Sequence, residues 1–107
     1  MSQAPYHPHE KLEAYQAALR FYRFVISLQC PELRKGQRTY DQLVDAAESM
    51  LRNIAEGASS TSAGRQGNFY SISKASAGES AACLDIIEIK FPKLATRIAV
   101  GRQDLHQ

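Results

Sequence analysis

No apolar run in the sequence approaches the roughly 20 residues that a helix needs to cross a bilayer, so no membrane-spanning helix is expected. The first residues, Met1-Ser2-Gln3-Ala4-Pro5, lack the basic-then-apolar pattern of a secretion signal. Cysteine is scarce. Cys30 and Cys83 lie far apart with no C-x-x-C spacing, and they read as free thiols in a reducing compartment. These absences together predict a cytoplasmic protein. A strong excess of one charge is lacking too: 13 basic residues face 11 acidic ones, a formal net charge of +2. Composition alone therefore does not single out nucleic acid as the partner.

The common signatures of catalysis are also missing. There is no Gly-rich phosphate loop, no nucleophile elbow, no paired metal-ligand motif and no thiol–imidazole pair set by spacing. Di-metal helical bundles need Glu-x-x-His on facing helices, and neither Glu10 nor Glu79 has such a histidine. His7 and His9, two residues apart beside Pro5 and Pro8, read as part of a polar arm. The sequence predicts neither an enzyme nor a cofactor or metal. It carries no RNA-module motif and no aromatic stacking platform outside the expected core. No alternating run of β-branched residues and no hairpin dipeptide argues for strands.

What remains is helix. At 107 residues with 44% hydrophobic content, the chain fits one domain with a modest core. Residues 1–8 are expected to form a mobile arm, and 9–107 a helical domain. Helix one is predicted from about His9 to Gln29 and carries two adjacent stripes. The first is Leu12, Tyr15, Leu19, Tyr22 and Ile26; the second is Ala18, Phe21, Val25 and Leu28. Two stripes imply more than one neighbour, and Pro31 ends the helix. The loop that follows, residues 30–38, holds the densest positive cluster in the chain: Arg34, Lys35 and Arg38. It is either a solvated surface or a phosphate contact.

Helix two is predicted from Thr39 or Tyr40 to Glu56, with Thr39 as N-cap and a buried stripe of Tyr40, Leu43, Ala47, Met50 and Ile54. Asn53-Ile54-Ala55-Glu56-Gly57 should close it, since glycine enters the left-handed conformation that stops helices. Asn53 is expected to bond the corner backbone, and Glu56 to pair with a donor on helix one or three. Ser62 is the natural N-cap of helix three, predicted over 63–90. Its stripe is read as Phe69, Ile72, Ser76, Glu79, Cys83 and Ile86, backed by Ala75, Ala82 and Ile89. A carboxylate in such a stripe has to be paired or protonated. After Pro92, a short fourth helix is expected from about Lys93 to Gln103, weakened by Gly101. The whole is all-α, an up-down four-helix bundle with a short fourth helix. Its surplus apolar surface predicts a homo-oligomer.

The Asn53–Gly57 corner, Ser62, and Phe69, Ile72, Lys74, Ser76 and Glu79 of helix three resemble a known family. It comprises the four-helix-bundle proteins associated with intervening sequences of 23S ribosomal RNA genes. The opening Leu12-Glu13-Ala14-Tyr15-Gln16-Ala17-Ala18 is similar as well. The resemblance covers about residues 12–90 and implies a small non-enzymatic homo-oligomer, best known as a pentameric ring. Related proteins include the accessory variability determinant of diversity-generating retroelements, which binds a reverse transcriptase and nucleic acid through a basic surface. The implied role is an adaptor for structured RNA or DNA, for a nucleic-acid enzyme such as a reverse transcriptase, or for both. The candidate phosphate contacts are Arg20, Arg23, Arg34, Lys35, Arg38, Arg65 and Lys74. The structural corner is Asn53, Glu56, Gly57, Ser62 and Glu79. The chain departs from the family pattern at Val44-Asp45, where a basic pair is usual, at Leu51-Arg52, where a proline is, and at Ser60-Thr61, where basic residues are. The alternative is a protein-interaction scaffold with no nucleic-acid binding.

Overall fold

The fold is known from a computed structural model, which describes residues 12–105. The expected arm at 1–8, with His7 and His9, lies outside the described residues, as does Glu10. The described chain is four α-helices: α1 (Glu13–Ser27), α2 (Arg38–Ser59), α3 (Ala63–Lys90) and α4 (Ala95–Arg102). Single 3-10 turns at Pro92–Leu94 and Gln103–Leu105 flank α4. No strand occurs among the described residues.

The core is built where the apolar periods coincide. Ala18, Phe21 and Val25 of α1 are fully buried with Leu28, its C-cap, and Leu33 of the loop. They meet Leu43, Ala47, Met50 and Ile54 of α2, Leu84 and Ile87 of α3, and Leu94 and Ile98 near the C-terminus. Burying each such aliphatic side chain contributes about 1.5–3 kcal/mol. Tyr40 is buried among them, and its hydroxyl donates to the Val25 carbonyl at 2.9 Å. That bond satisfies the phenol and ties α2 to α1.

α2 and α3 make the most extensive contact in the molecule. They form a helical hairpin: Ser73 Oγ donates to the Met50 carbonyl at 3.1 Å, Ser76 Oγ to Ser49 Oγ at 3.0 Å, and Tyr70 lies over Gly57. The pairings 50–73, 49–76 and 57–70 run in opposite directions along the two helices. Small residues at this seam, Ser49, Gly57, Ser73 and Ser76, let the helix axes approach closely. Ser80, also on this side of α3, is fully buried, and its hydroxyl has no partner.

Several expectations are corrected here. Gly57 does not stop α2, which continues to Ser59; the glycine is buried inside the helix, and a Cβ on it would lie 2.7 Å from the Tyr70 ring. Close approach, not left-handed backbone, is what this glycine serves. The N-cap of α2 is Gln37, not Thr39: its side chain accepts the Tyr40 N–H at 2.6 Å. α3 spans the predicted residues, but its buried side is Ser73, Ser76, Ser80, Cys83, Leu84 and Ile87. Ile72, Ala75, Glu79, Ala82, Ile86 and Ile89, assigned by sequence to the core stripe, face solvent. α1 buries its second stripe and leaves the first, Tyr15, Leu19, Tyr22 and Ile26, only partly covered.

The short C-terminal element docks on the rest through polar ties at several points. Arg97 donates to the Ser27 carbonyl at 2.6 Å, and Arg102 bridges Asp85 and Glu88 of α3 at 2.8 and 3.3 Å. Lys93 pairs with Glu32. Gly101 is buried because the Phe24 ring occupies the place a Cβ would take. The glycine that weakens the helix locally is the one that lets it reach α1.

Candidate nucleic-acid interface

The basic cluster sits on a loop with a defined shape. Leu33 is fully buried and anchors it from below. Cys30 and Leu33 exchange backbone hydrogen bonds at 3.1 and 3.0 Å, and Gln37 N–H donates to the Arg34 carbonyl at 3.0 Å. The Gly36 N–H donates to both carboxylate oxygens of Asp41 at 3.1 and 3.2 Å. On this frame Arg34, Lys35 and Arg38 are all exposed. Arg34 turns back to donate to the Pro31 carbonyl at 2.8 Å. Arg34 and Lys35 line one shallow cavity of about 520 Å³ with Glu32 and Gln37. Lys35 also lines a second, of about 400 Å³, with Asp41 and Asp45. Acidic groups are thus interleaved with the basic ones. The Lys93 ammonium, hydrogen-bonded to Glu32, holds that carboxyl below the usual carboxylate range. The same contact raises Lys93.

The seven predicted phosphate contacts do not form one surface. Arg20 and Arg23 share the exposed side of α1, but Arg20 is already paired with Asp104 at 3.1 Å. Arg65 stands in the first turn of α3. From there it is separated from Arg38 by the whole of α2, 22 residues, or about 33 Å at 1.5 Å per residue. Lys74 lines a groove with Tyr70, Asp104 and Leu105. Arg34 and Lys35 stay together around one cavity, with Arg38 three residues on at the start of α2.

The corner residues divide similarly. Ser62 is the N-cap of α3 and accepts the Arg65 N–H at 3.4 Å. Asn53 does not bond the corner; its side chain donates back along α2 to the Ser49 carbonyl at 2.7 Å. Glu56 is exposed and makes no ion pair among the described residues, although it lines a cavity with Arg65 and Phe69. Glu79 is exposed on α3, so its carboxylate does not need a buried partner.

A family profile described as 23S rRNA-intervening sequence protein matches residues 10–90. This chain belongs to that family. The match spans α1, α2 and α3 and stops where α3 ends. Neither the curated proteins nor the solved structures give a significant match. Among the described residues no group of three His, Cys, Asp or Glu could hold a metal ion, and no helix is long and apolar enough to cross a membrane.

Sequence reasoning placed Ser76 in the buried stripe but missed the polar seam it forms with Ser49, Asn53 and Ser73. Its only signal was the serine spacing on α3, at positions 73, 76 and 80, which has helical period but no hydrophobicity. It also missed the carboxylates of Glu32 and Asp41 that temper the basic loop.

Proposed function

We propose that this protein is a non-enzymatic homo-oligomeric adaptor, an up-down helical bundle that presents basic loops to structured nucleic acid. The observation that carries the reading is the ridge on α3. Ile72, Ile86 and Ile89 are 45%, 44% and 80% exposed along one helix, an apolar surface that a chain of this size leaves open when another copy covers it. Assembly multiplies the Arg34–Lys35–Arg38 loop around the oligomer. A pentameric ring would display five such loops, turning a weak charge contact into an avid one. Binding would proceed by neutralising phosphates and releasing counterions, with little sequence preference. A nucleic-acid enzyme such as a reverse transcriptase is the protein partner that this role implies, in the cytoplasm.

A second reading, a protein scaffold that binds no nucleic acid, is favoured by one observation. Glu32, Asp41 and Asp45 lie among the loop cations. Fluorescence anisotropy of a structured RNA and a matched DNA duplex, titrated at two salt concentrations, separates the readings. The adaptor binds with a log–log salt slope of about −2 to −3 per loop engaged and loses binding when Arg34, Lys35 and Arg38 are all changed to alanine. No binding at micromolar protein leaves the scaffold.

A further inference from the structure

The basic loop has no surplus charge of its own with which to attract phosphate. Arg34, Lys35 and Arg38 are matched by Glu32, Asp41 and Asp45, so the segment 30–45 carries no net charge. The three carboxylates are placed differently. Asp41 accepts the Gly36 N–H with both oxygens and so shapes the loop. Asp45 lines the cavity that Lys35 edges and Arg34 does not. Glu32 shares the other cavity with Arg34 and Lys35 together. Over distances that short salt screens little, so a free Glu32 would oppose an anion approaching either cation.

A cation from the far end of the chain meets Glu32. The 3-10 turn Pro92–Leu94 is fixed by the buried Leu94 side chain and by the Leu94 N–H, which donates to the Phe91 carbonyl at 2.9 Å. Lys93 is exposed on that turn, and its ammonium pairs with the Glu32 carboxylate. Arg97 holds the same segment in place, donating at 2.6 Å to the carbonyl of Ser27, the last residue of α1 before the loop. Both cations lie past residue 90, where the family match ends. We infer that Lys93 is a positioning residue of the phosphate-binding loop: by pairing with Glu32 it cancels the carboxylate beside Arg34 and Lys35 and leaves the loop cationic. This rests on the nucleic-acid reading above. Lys93 acts through Glu32 and touches no phosphate itself. The two side chains are 65% and 29% exposed, and pairs so open to water contribute little to stability. The main consequence of the pair is the field at the loop.

The test is anisotropy of the same structured RNA with wild type, Lys93→Gln, Glu32→Gln and the double variant. Lys93→Gln leaves Glu32 uncompensated and should weaken binding about three- to tenfold. Glu32→Gln frees the Lys93 charge and should tighten binding. The double variant should return to the wild-type affinity, a rescue that a purely structural role would not produce. Thermal melts of the four proteins should coincide. A double variant as weak as Lys93→Gln overturns the inference, because Lys93 would then touch phosphate directly or merely brace the C-terminal segment. Wild-type affinity in Lys93→Gln overturns it too. Glu32→Gln decides independently of the folding of the other variants: unchanged or weaker binding overturns the inference. In each of these cases the wild type still binds RNA, and the adaptor reading stands. No RNA binding by the wild type overturns the adaptor reading, and this inference falls with it.

Discussion

The two sides of α3 invert the usual expectation of what lies inside. Its inner side carries Ser73, Ser76 and Ser80 with Cys83, Leu84 and Ile87; its outer side carries Ile72, Ile86 and Ile89. Three serines are buried and three isoleucines are exposed on one helix. The inner side is chosen by fit. Serine is small enough to let α2 come close, and two of the hydroxyls find partners on Met50 and Ser49, so the cost of burying them is offset. The outer side keeps the bulk that the α2 seam has no room for. A helix with apolar groups on both sides hides which side faces its own chain.

The sharpest way to break this contrast is to truncate one isoleucine from each side. Ile87→Ala should lower unfolding free energy by about 2–5 kcal/mol, because Ile87 is fully buried and leaves a cavity. Ile89→Ala should change it by no more than about 0.5 kcal/mol in dilute solution. Equal losses in urea titrations would mean that the ridge is core after all. The serines sharpen the same point at smaller scale. Ser80→Ala should stabilise by about 1 kcal/mol, since it removes a buried hydroxyl with no partner. Ser73→Ala should cost about 1 kcal/mol through the lost bond to Met50. The same sign for both would show that the Ser80 hydroxyl is satisfied.

Burial on the inner side raises the Cys83 thiol above its ordinary value of 9.0, with the Glu79 charge adding to the effect. Burial raises Tyr40 too. The folded state therefore holds these protons when the unfolded chain releases them. Their contribution is complete below about pH 9 and is lost as pH rises through the folded values. Stability should decline above pH 9, and Cys83→Ala should flatten that limb in thermal melts at successive pH values. Smallest of all, Glu79→Gln, Glu79→Leu and Glu56→Ala should each stay within about 0.5 kcal/mol in the monomer, because both carboxylates are exposed. A large cost for Glu79→Leu alone would return that carboxylate to a buried, bonded setting.

Much of the helical layout was legible in the sequence. The bounds of α3 follow from Ser62 and Pro92, and the α2 stripe from Tyr40 to Ile54 is buried as read. The candidate site was legible only as a loop: the cluster 34–38 is local, so its residues stay together whatever the fold. Arg20, Arg65 and Lys74 could be grouped with it by charge alone, and the length of α2 separates Arg65 from it. The Gly57 error has the same origin. A glycine near the end of a helix is a stop signal by frequency, but Tyr70, thirteen residues away, gives it a different use.

By itself the sequence determined what depends on neighbours along the chain: helical period, the Ser62 cap, the prolines between elements, and the basic loop. The tertiary structure alone decided which side of α3 is the inside and how far α2 runs. It also decided which cations are neutralised and where glycine is indispensable. The physical reason is that those outcomes depend on the close approach of two helices. The volume of side chains from distant parts of the chain sets that distance, and no local pattern of hydrophobicity records it.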